Sequence, residues 1–169
     1  MYFEREVKIK VKDLEKVRNR IRNNGGILKK RVSQIDIYYS HPCRDFKKTD
    51  EALRVRMEEE NKEVTYKGPR IAKGEVKVRE EVNVVVKGEI EKIFEKLGFR
   101  RIAEIEKERE EYELKGFKIS LDRVRKLGEF VEIETNEPLD KLKALVEELG
   151  IPWKPVTKTY LELLISRKA

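Results

Sequence analysis

The chain is poor in the residues that carry redox and soft-metal chemistry. Its 169 residues include one cysteine, Cys43, and one histidine, His41. A lone cysteine excludes an intramolecular disulfide and a cysteine-based zinc site. Cys43 and His41 flank Pro42 with no third group to orient them, so a cysteine–histidine nucleophile pair is not expected. No stretch approaches the roughly 20 apolar residues of a membrane-spanning helix, and no secretory leader is read at the N-terminus. The expectation is a cytoplasmic protein with no membrane partner. Glutamine is also scarce, with Gln34 alone, while Lys, Glu and Arg abound. That balance is common in heat-adapted proteins, and a thermophilic source is expected.

What the chain has is charge. Charged residues make up 43% and apolar residues 38%, with a formal net charge of +7. The positive excess favours an anionic partner: a nucleic acid, a phosphorylated metabolite or a membrane surface. The length suits a single domain over 1–169 with one core. Alternation predicts a strand over 2–11, then a helix capped by Asp13 and ended by Gly25-Gly26. A long strand follows over 27–40, then a loop to Asp50. A hairpin is expected from 51–59 and 62–67, turning at Glu60-Asn61 and stopped by Gly68-Pro69. After a basic connector over 70–74 come a strand over 75–86 and a helix over 88–97. Strands over 101–114, 117–125 and 129–135 follow. A helix runs from Pro138 to Leu149, and the tail over 157–166 fits helix or strand. Roughly eight strands with inserted helices make an antiparallel α+β fold.

The alternation itself is unusual. In the first strand Phe3, Arg5, Val7, Ile9 and Val11 share one face, and Glu4, Glu6, Lys8 and Lys10 share the other. Later strands repeat this: Arg54 and Arg56 against Leu53 and Val55, Lys67 against Tyr66, and Lys77, Arg79 and Glu81 against Val76 and Val78. Lys107 and Arg109 share a face, as do Ser120 and Asp122, and Glu132 and Glu134 lie opposite Val131 and Ile133. On a flat sheet these charges would simply face water. A sheet of this many long strands tends to curl or close. Closed with its apolar face outward under the helices, it becomes an eight-stranded antiparallel β-barrel with a charged interior. Buried ions need partners, so such an interior calls for polyanionic ligands and cations together. Mg²⁺ on a polyphosphate satisfies both demands.

These residues resemble a known family, the CYTH domains or triphosphate tunnel metalloenzymes. Glu4-x-Glu6-x-Lys8 resembles the family's first-strand signature. Gln34-Ile35-Asp36-Ile37-Tyr38-Tyr39, Ala52-Leu53-Arg54-Val55-Arg56, Thr65-Tyr66-Lys67-Gly68-Pro69, Arg79-Glu80-Glu81 and Lys107-x-Arg109 are similar to its later elements, in order. Leu121-Asp122, the stretch Leu127 to Glu134 and Tyr160-Leu161-Glu162 resemble its closing strands and tail. The resemblance implies a tunnel that binds triphosphates with Mg²⁺ or Mn²⁺. It implies metal ligation by Glu4, Glu6, Asp122, Glu132 and Glu134. Phosphate would be held by Lys8, Arg54, Arg56, Lys67, Lys77, Arg79, Lys107 and Arg109, and Glu4, Glu6 and Lys8 would form the catalytic core.

Two reactions are compatible with that family. In class IV adenylyl cyclases the ribose 3′-hydroxyl of ATP attacks the α-phosphorus, giving cyclic AMP and pyrophosphate. In triphosphatases water attacks the terminal phosphorus of thiamine triphosphate, tripolyphosphate or a nucleotide. The motifs are most similar to the cyclase type. One departure is that the chain opens Met1-Tyr2-Phe3, without the histidine that cyclases of this branch often carry ahead of Glu-x-Glu-x-Lys. A polyphosphate-binding protein without turnover would share every ligand residue. A nucleic-acid-binding module is disfavoured, because its basic residues should cluster with exposed aromatics. The protein is expected as a monomer or homodimer. Tyr66, Tyr160 and Tyr38 are expected as packed core tyrosines, Trp153 as an anchor of the tail junction, and Arg70 and Lys73 as solvated charge.

Overall fold

The computed structural model describes residues 2–71 and 74–168, leaving aside the side chain of Tyr2. Lys73 of the expected basic connector lies outside the described residues. In chain order the elements are β1 (Tyr2–Val11), α1 (Leu14–Asn23), β2 (Ile27–Ser40), α2 (Phe46–Thr49), β3 (Ala52–Glu58), β4 (Asn61–Arg70) and β5 (Lys77–Val86). Then come α3 (Ile90–Lys96), β6 (Arg100–Leu114), β7 (Phe117–Val124), β8 (Gly128–Glu134), α4 (Leu139–Glu148) and α5 (Tyr160–Lys168).

The strands close into a barrel in the order β1-β5-β4-β3-β2-β6-β7-β8, each pairing antiparallel. Register decides what shares the interior, because directly opposed residues point to the same face. Glu4 lies opposite Arg79, Glu6 opposite both Lys77 and Glu134, and Lys8 opposite Glu132. Asp36 lies opposite Arg56, Lys67 opposite Glu81, and Arg109 opposite Asp122. The charged face of every strand therefore turns inward, as the alternation implied.

The apolar face turns outward and is roofed by helices. Val7, Ile9, Ile119, Leu121, Val131 and Ile133 pack under Leu14, Val17 and Ile21 of α1 and Leu142, Leu145 and Val146 of α4. Each such fully buried side chain stabilises the fold by about 1.5–3 kcal/mol relative to exposure. On the other side, Ile90 and Phe94 of α3 pack with Phe99 on Ile37, Tyr39 and Val55. Asp13 caps α1 by accepting from the Lys16 amide.

The inner face changes character along the barrel. Tyr38, Ile105, Val124 and Phe130 continue the inward parity of Asp36, Lys107, Asp122 and Glu132, yet they are apolar and buried with Tyr160 and Leu164. The tail, which the sequence left as helix or strand, is the helix α5. It packs on this apolar ring and covers that end of the barrel.

Other expectations shift in detail. The hairpin turns at Glu59-Glu60, with Glu59 in the left-handed region, rather than at Glu60-Asn61. Gly68-Pro69 does not stop β4. The register slips between Lys67 and Arg70, which spares Pro69 a ladder hydrogen bond, and Arg70 re-pairs opposite Arg79. The loop before β3 holds the short helix α2, capped by Asp45. Trp153 does brace the connector before the tail, its indole N–H donating to Glu75 at 2.9 Å.

Gly26 returns the chain from α1 into β2, and an added Cβ there would sit 2.3 Å from Ile21 Cγ2 and 2.8 Å from the Ile21 carbonyl oxygen. Gly26→Ala is expected to cost about 1–3 kcal/mol of unfolding free energy, measured by urea denaturation. Gly74→Ala, where nothing lies within 4 Å of the new methyl, should leave the urea midpoint unchanged.

Candidate active site

The barrel encloses a cavity of about 770 Å³ that is partly open to solvent. Its wall includes Glu4, Glu6, Lys8, Arg54, Arg56, Lys67, Lys77, Arg79, Lys107, Arg109, Glu132 and Glu134. All thirteen residues expected from the sequence except Asp122 thus line one cavity, and Asp122 sits directly behind that wall, fully buried.

Their partners divide them into two populations. The first is locked in ion pairs. Asp36 accepts both arms of Arg56, from Nε at 2.7 Å and from a terminal nitrogen at 2.8 Å. Arg109 grips Asp122 the same way, at 2.7 and 2.5 Å, and also donates to Glu132 at 2.6 Å. Lys107 stands between these carboxylates, 3.8 Å from Asp36 and 3.9 Å from Asp122. Burial raises the cost of the Asp36 charge, but Arg56, Arg54 and Lys107 outweigh it and hold the carboxyl far below its usual range. For Lys107 burial wins, aided by the Arg109 charge, and its ammonium is pulled down to about 7.

The second population is only partly satisfied. The Lys77 ammonium and the Arg54 Nε are buried without a hydrogen-bond partner. Burial, with Lys8 beside it, lowers Lys77 to about 8. Arg54 spends one terminal nitrogen on Thr65 at 2.8 Å and keeps Nε open. Lys67 reaches Glu4 at 3.3 Å and pairs tightly with Glu81. Glu4 and Glu6 are both pushed above their usual range. For Glu4 burial dominates, with Glu81 and Glu132 adding to it over the opposing Lys67. For Glu6 burial is again first, followed by Glu132 and Glu4. The pair faces the cavity as a carboxylate site short of positive charge.

Several expected residues have a more specific place than the sequence gave them. Arg56 turns its fork wholly to Asp36, so removing it would strand a buried carboxylate. Arg79 donates to the backbone carbonyls of Gly68 at 2.8 Å and Asp50 at 2.9 Å, tying β4 to the loop before β3. Glu134 pairs with exposed Lys118 at 3.3 Å. Lys8 lies 3.4 Å from Glu132.

Three residues were missed. Asp36 was quoted in a motif without a role, although its inward parity with Gln34 and Tyr38 on β2 was readable. Tyr160 was expected only as core; its hydroxyl donates to Asp122 at 2.8 Å, and Lys8 Nζ lies 4.0 Å from its ring centroid. Nothing in the local pattern announces that a tail residue enters the barrel. Arg70 was expected as solvated charge. Instead it holds Asp50 through Nε at 2.8 Å and a terminal nitrogen at 2.6 Å, and Glu162 of α5 at 3.0 Å.

A closed antiparallel barrel whose lumen is lined by buried cations and carboxylates defines a class of charged tunnels. The CYTH domain family matches residues 3–160. A Methanocaldococcus jannaschii protein provisionally named an adenylate cyclase is 39% identical over 95% of this chain and 98% of its own length. The chain belongs to the CYTH domain family. Among solved structures, the PH1819 protein of Pyrococcus horikoshii OT3 superposes with a TM-score of 0.82 at 34% identity, over 98% of this chain and 99% of that one. A Hippeastrum protein, described as a provisional adenylyl cyclase with a dominant triphosphatase activity, shares the fold with a TM-score of 0.75 at 18% identity, over 98% and 97% of the two chains.

The Asp36 cluster generates a stability prediction. The carboxyl is depressed in the folded state, so its stabilising contribution is present above the ordinary aspartate pKa of about 3.9 and is lost as pH falls below it. Asp36→Asn leaves the Arg56 fork half-answered in a buried site and is expected to cost about 3–5 kcal/mol at pH 7. Urea unfolding from pH 7 down to pH 2 should show a smaller difference between variant and wild type at the acid end.

Proposed function

We propose that the protein is a divalent-cation-dependent enzyme that binds triphosphates in the tunnel, with class IV adenylyl cyclase chemistry: ATP to cyclic AMP and pyrophosphate. The observation that carries this reading is the coexistence, in one cavity, of buried cationic donors without a hydrogen-bond acceptor and of carboxylates pushed above their range. The Lys77 ammonium and the Arg54 Nε want an acceptor, while Glu4 and Glu6, pushed up although Lys67 reaches Glu4 at 3.3 Å, want further positive charge. A triphosphate carrying a metal ion supplies both. The adenylate cyclase name of the 39% identical relative supports the cyclase form.

The donor set fits a hard cation, since all candidate ligands are carboxylate oxygens. Among the described residues no three His, Cys, Asp or Glu side chains form a ready cage. Mg²⁺ is commonly held by one or two carboxylates plus phosphate oxygens, and Mg²⁺ or Mn²⁺ is the ion we propose. Glu4 and Glu6 would hold it, with Glu132 and Glu134 adjoining. Asp122 has its oxygens engaged by Arg109 and Tyr160, so we assign it to orienting Arg109 rather than to direct ligation. When bound, the ion supplies charge neutralisation and acidifies the attacking oxygen.

The chain's own groups do the rest. Arg54, Lys67 and Lys77 grip phosphate oxygens, Arg54 through the open Nε of its fork. Lys8, Lys107 and Arg109 stabilise the charge that grows on the departing pyrophosphate. Arg56 and Arg79, tied to Asp36 and to backbone carbonyls, shape the wall and add positive field. The 3′-hydroxyl gives its proton to water as its oxygen bonds to the α-phosphorus, and the bond from that phosphorus to the α,β-bridging oxygen breaks, releasing pyrophosphate.

Hydrolysis is the second reading, favoured by the absence of a histidine ahead of Glu4. Here water would attack the terminal phosphorus of thiamine triphosphate, tripolyphosphate or a nucleotide on the same cations.

Incubation with ATP, thiamine triphosphate and tripolyphosphate under Mg²⁺ or Mn²⁺ separates the readings by product. Cyclic AMP with pyrophosphate is expected; orthophosphate alone would replace the cyclase by the triphosphatase. The double variant Glu4→Ala, Glu6→Ala should lose metal-dependent turnover by at least about a hundredfold. Unchanged turnover with unchanged metal dependence would remove the tunnel from the chemistry.

A further inference from the structure

The tail helix brings one aromatic ring into the charged end of the cavity. Tyr160 is buried, and its hydroxyl is fixed by donation to Asp122 at 2.8 Å. Phe130 packs edge-on against it, with centroids 5.0 Å apart. The ring is therefore immobilised from two directions. Two ammonium groups stand over it: Lys8 Nζ at 4.0 Å from the centroid and Lys107 Nζ at 5.2 Å.

Both lysines have carboxylates in ion-pair range, but none closer than 3.4 Å. Lys8 lies 3.4 Å from Glu132 and 3.5 Å from the Lys158 carbonyl oxygen. The carboxylates nearest Lys107 are 3.8 and 3.9 Å away. Two cations in a buried wall need compensation. A carboxylate in direct contact would provide it but would occupy their N–H donors. An aromatic face adds to it through its quadrupole without taking up an N–H donor, so that Lys8 spends donors only on the long contacts to Glu132 and the Lys158 carbonyl.

We propose that Tyr160 is a positioning residue whose ring carries Lys8 and Lys107 with their N–H donors turned to phosphate oxygens in the tunnel. The triphosphate site is then incomplete without the tail. α5 is held over the site by Arg70, which bridges Glu162 to Asp50, while Leu164 packs in the apolar ring. The assignment rests on triphosphate binding as read above and names a residue that reading does not require.

The test is calorimetric titration of the intact chain with inorganic tripolyphosphate in the presence of EDTA. Tyr160→Phe keeps the ring and loses the hydroxyl; it should bind within about threefold of wild type. Tyr160→Leu keeps burial and loses the ring; it should bind about tenfold more weakly. Leu164→Ala loosens the tail without touching either lysine; it should lower the melting temperature and keep wild-type affinity. Wild-type affinity in folded Tyr160→Leu overturns the proposal. So does Tyr160→Phe as weak as the leucine variant, which would move the role to the hydroxyl, or Leu164→Ala as weak, which would reduce it to tail docking. A second measurement needs no leucine variant: the ε-methylene protons of Lys8 and Lys107 should carry upfield ring-current shifts in wild type and in Tyr160→Phe. Unshifted resonances overturn the proposal. A wild-type chain that does not bind tripolyphosphate at all fails the triphosphate reading itself, a result separate from any difference among the variants.

Discussion

Closing the sheet turns the charged face of eight strands into a low-dielectric interior. Each charge placed there must be met at short range, because desolvation costs several kcal/mol per ion. Asp36 and Asp122 are the points on which this depends. Each is fully buried, each takes the fork of an arginine, and Lys107 lies between them. The two pairs span β3, β2, β6 and β7, four neighbouring strands, so they tie one continuous arc of the wall along its lining. The outer helices supply hydrophobic stabilisation, but that term is non-directional. The forked pairs add a requirement on register, since a one-residue slip would send either partner to the outer face.

Against this satisfied framework the unsatisfied groups stand out. A fold can hold Lys77 and the Arg54 Nε without partners, and Glu4 and Glu6 pushed above their range, only if the surrounding structure over-determines their positions. The ion-pair framework and the roofing helices do that. The arrangement resembles preorganised electrostatics, in which the cost of gathering like charges is met during folding rather than when ligand arrives. Tyr160 belongs to both sets. Its hydroxyl completes the shell of Asp122, and its ring faces Lys8 and Lys107.

Strand alternation made the fold and most of the lining legible. Glu4, Glu6 and Lys8 could be placed on one face of β1 from parity alone, and closure followed from the number and length of strands. Parity does not reveal partnership. Arg54 and Arg56 look equivalent in Leu53-Arg54-Val55-Arg56, yet register sets one against Thr65 and the other against Asp36. Likewise Asp122 and Glu132 read as open carboxylates until Arg109 is seen between them. Tertiary placement was least legible. Arg70 and Tyr160 lie in a connector and a tail, and only the folded chain brings them to Asp50 and Asp122.

The same distinction bears on the net charge of +7. A positive total favours an anionic partner, but the partner is selected by where the cations face. Lys8, Arg54, Lys77, Lys107 and Arg109 are buried in the wall of an enclosed cavity. A duplex or a membrane surface is too broad to enter such a space. A short, highly charged chain of phosphates is not, and its charge spacing allows several cations to act on it at once. The exposed surface tells less: pairs such as Lys115 with Glu148 and Arg125 with Glu106 neutralise one another there, and surface pairs of this kind contribute little. The charge that carries information is the buried charge, because only there must each ion be met at short range, by the protein or by a ligand.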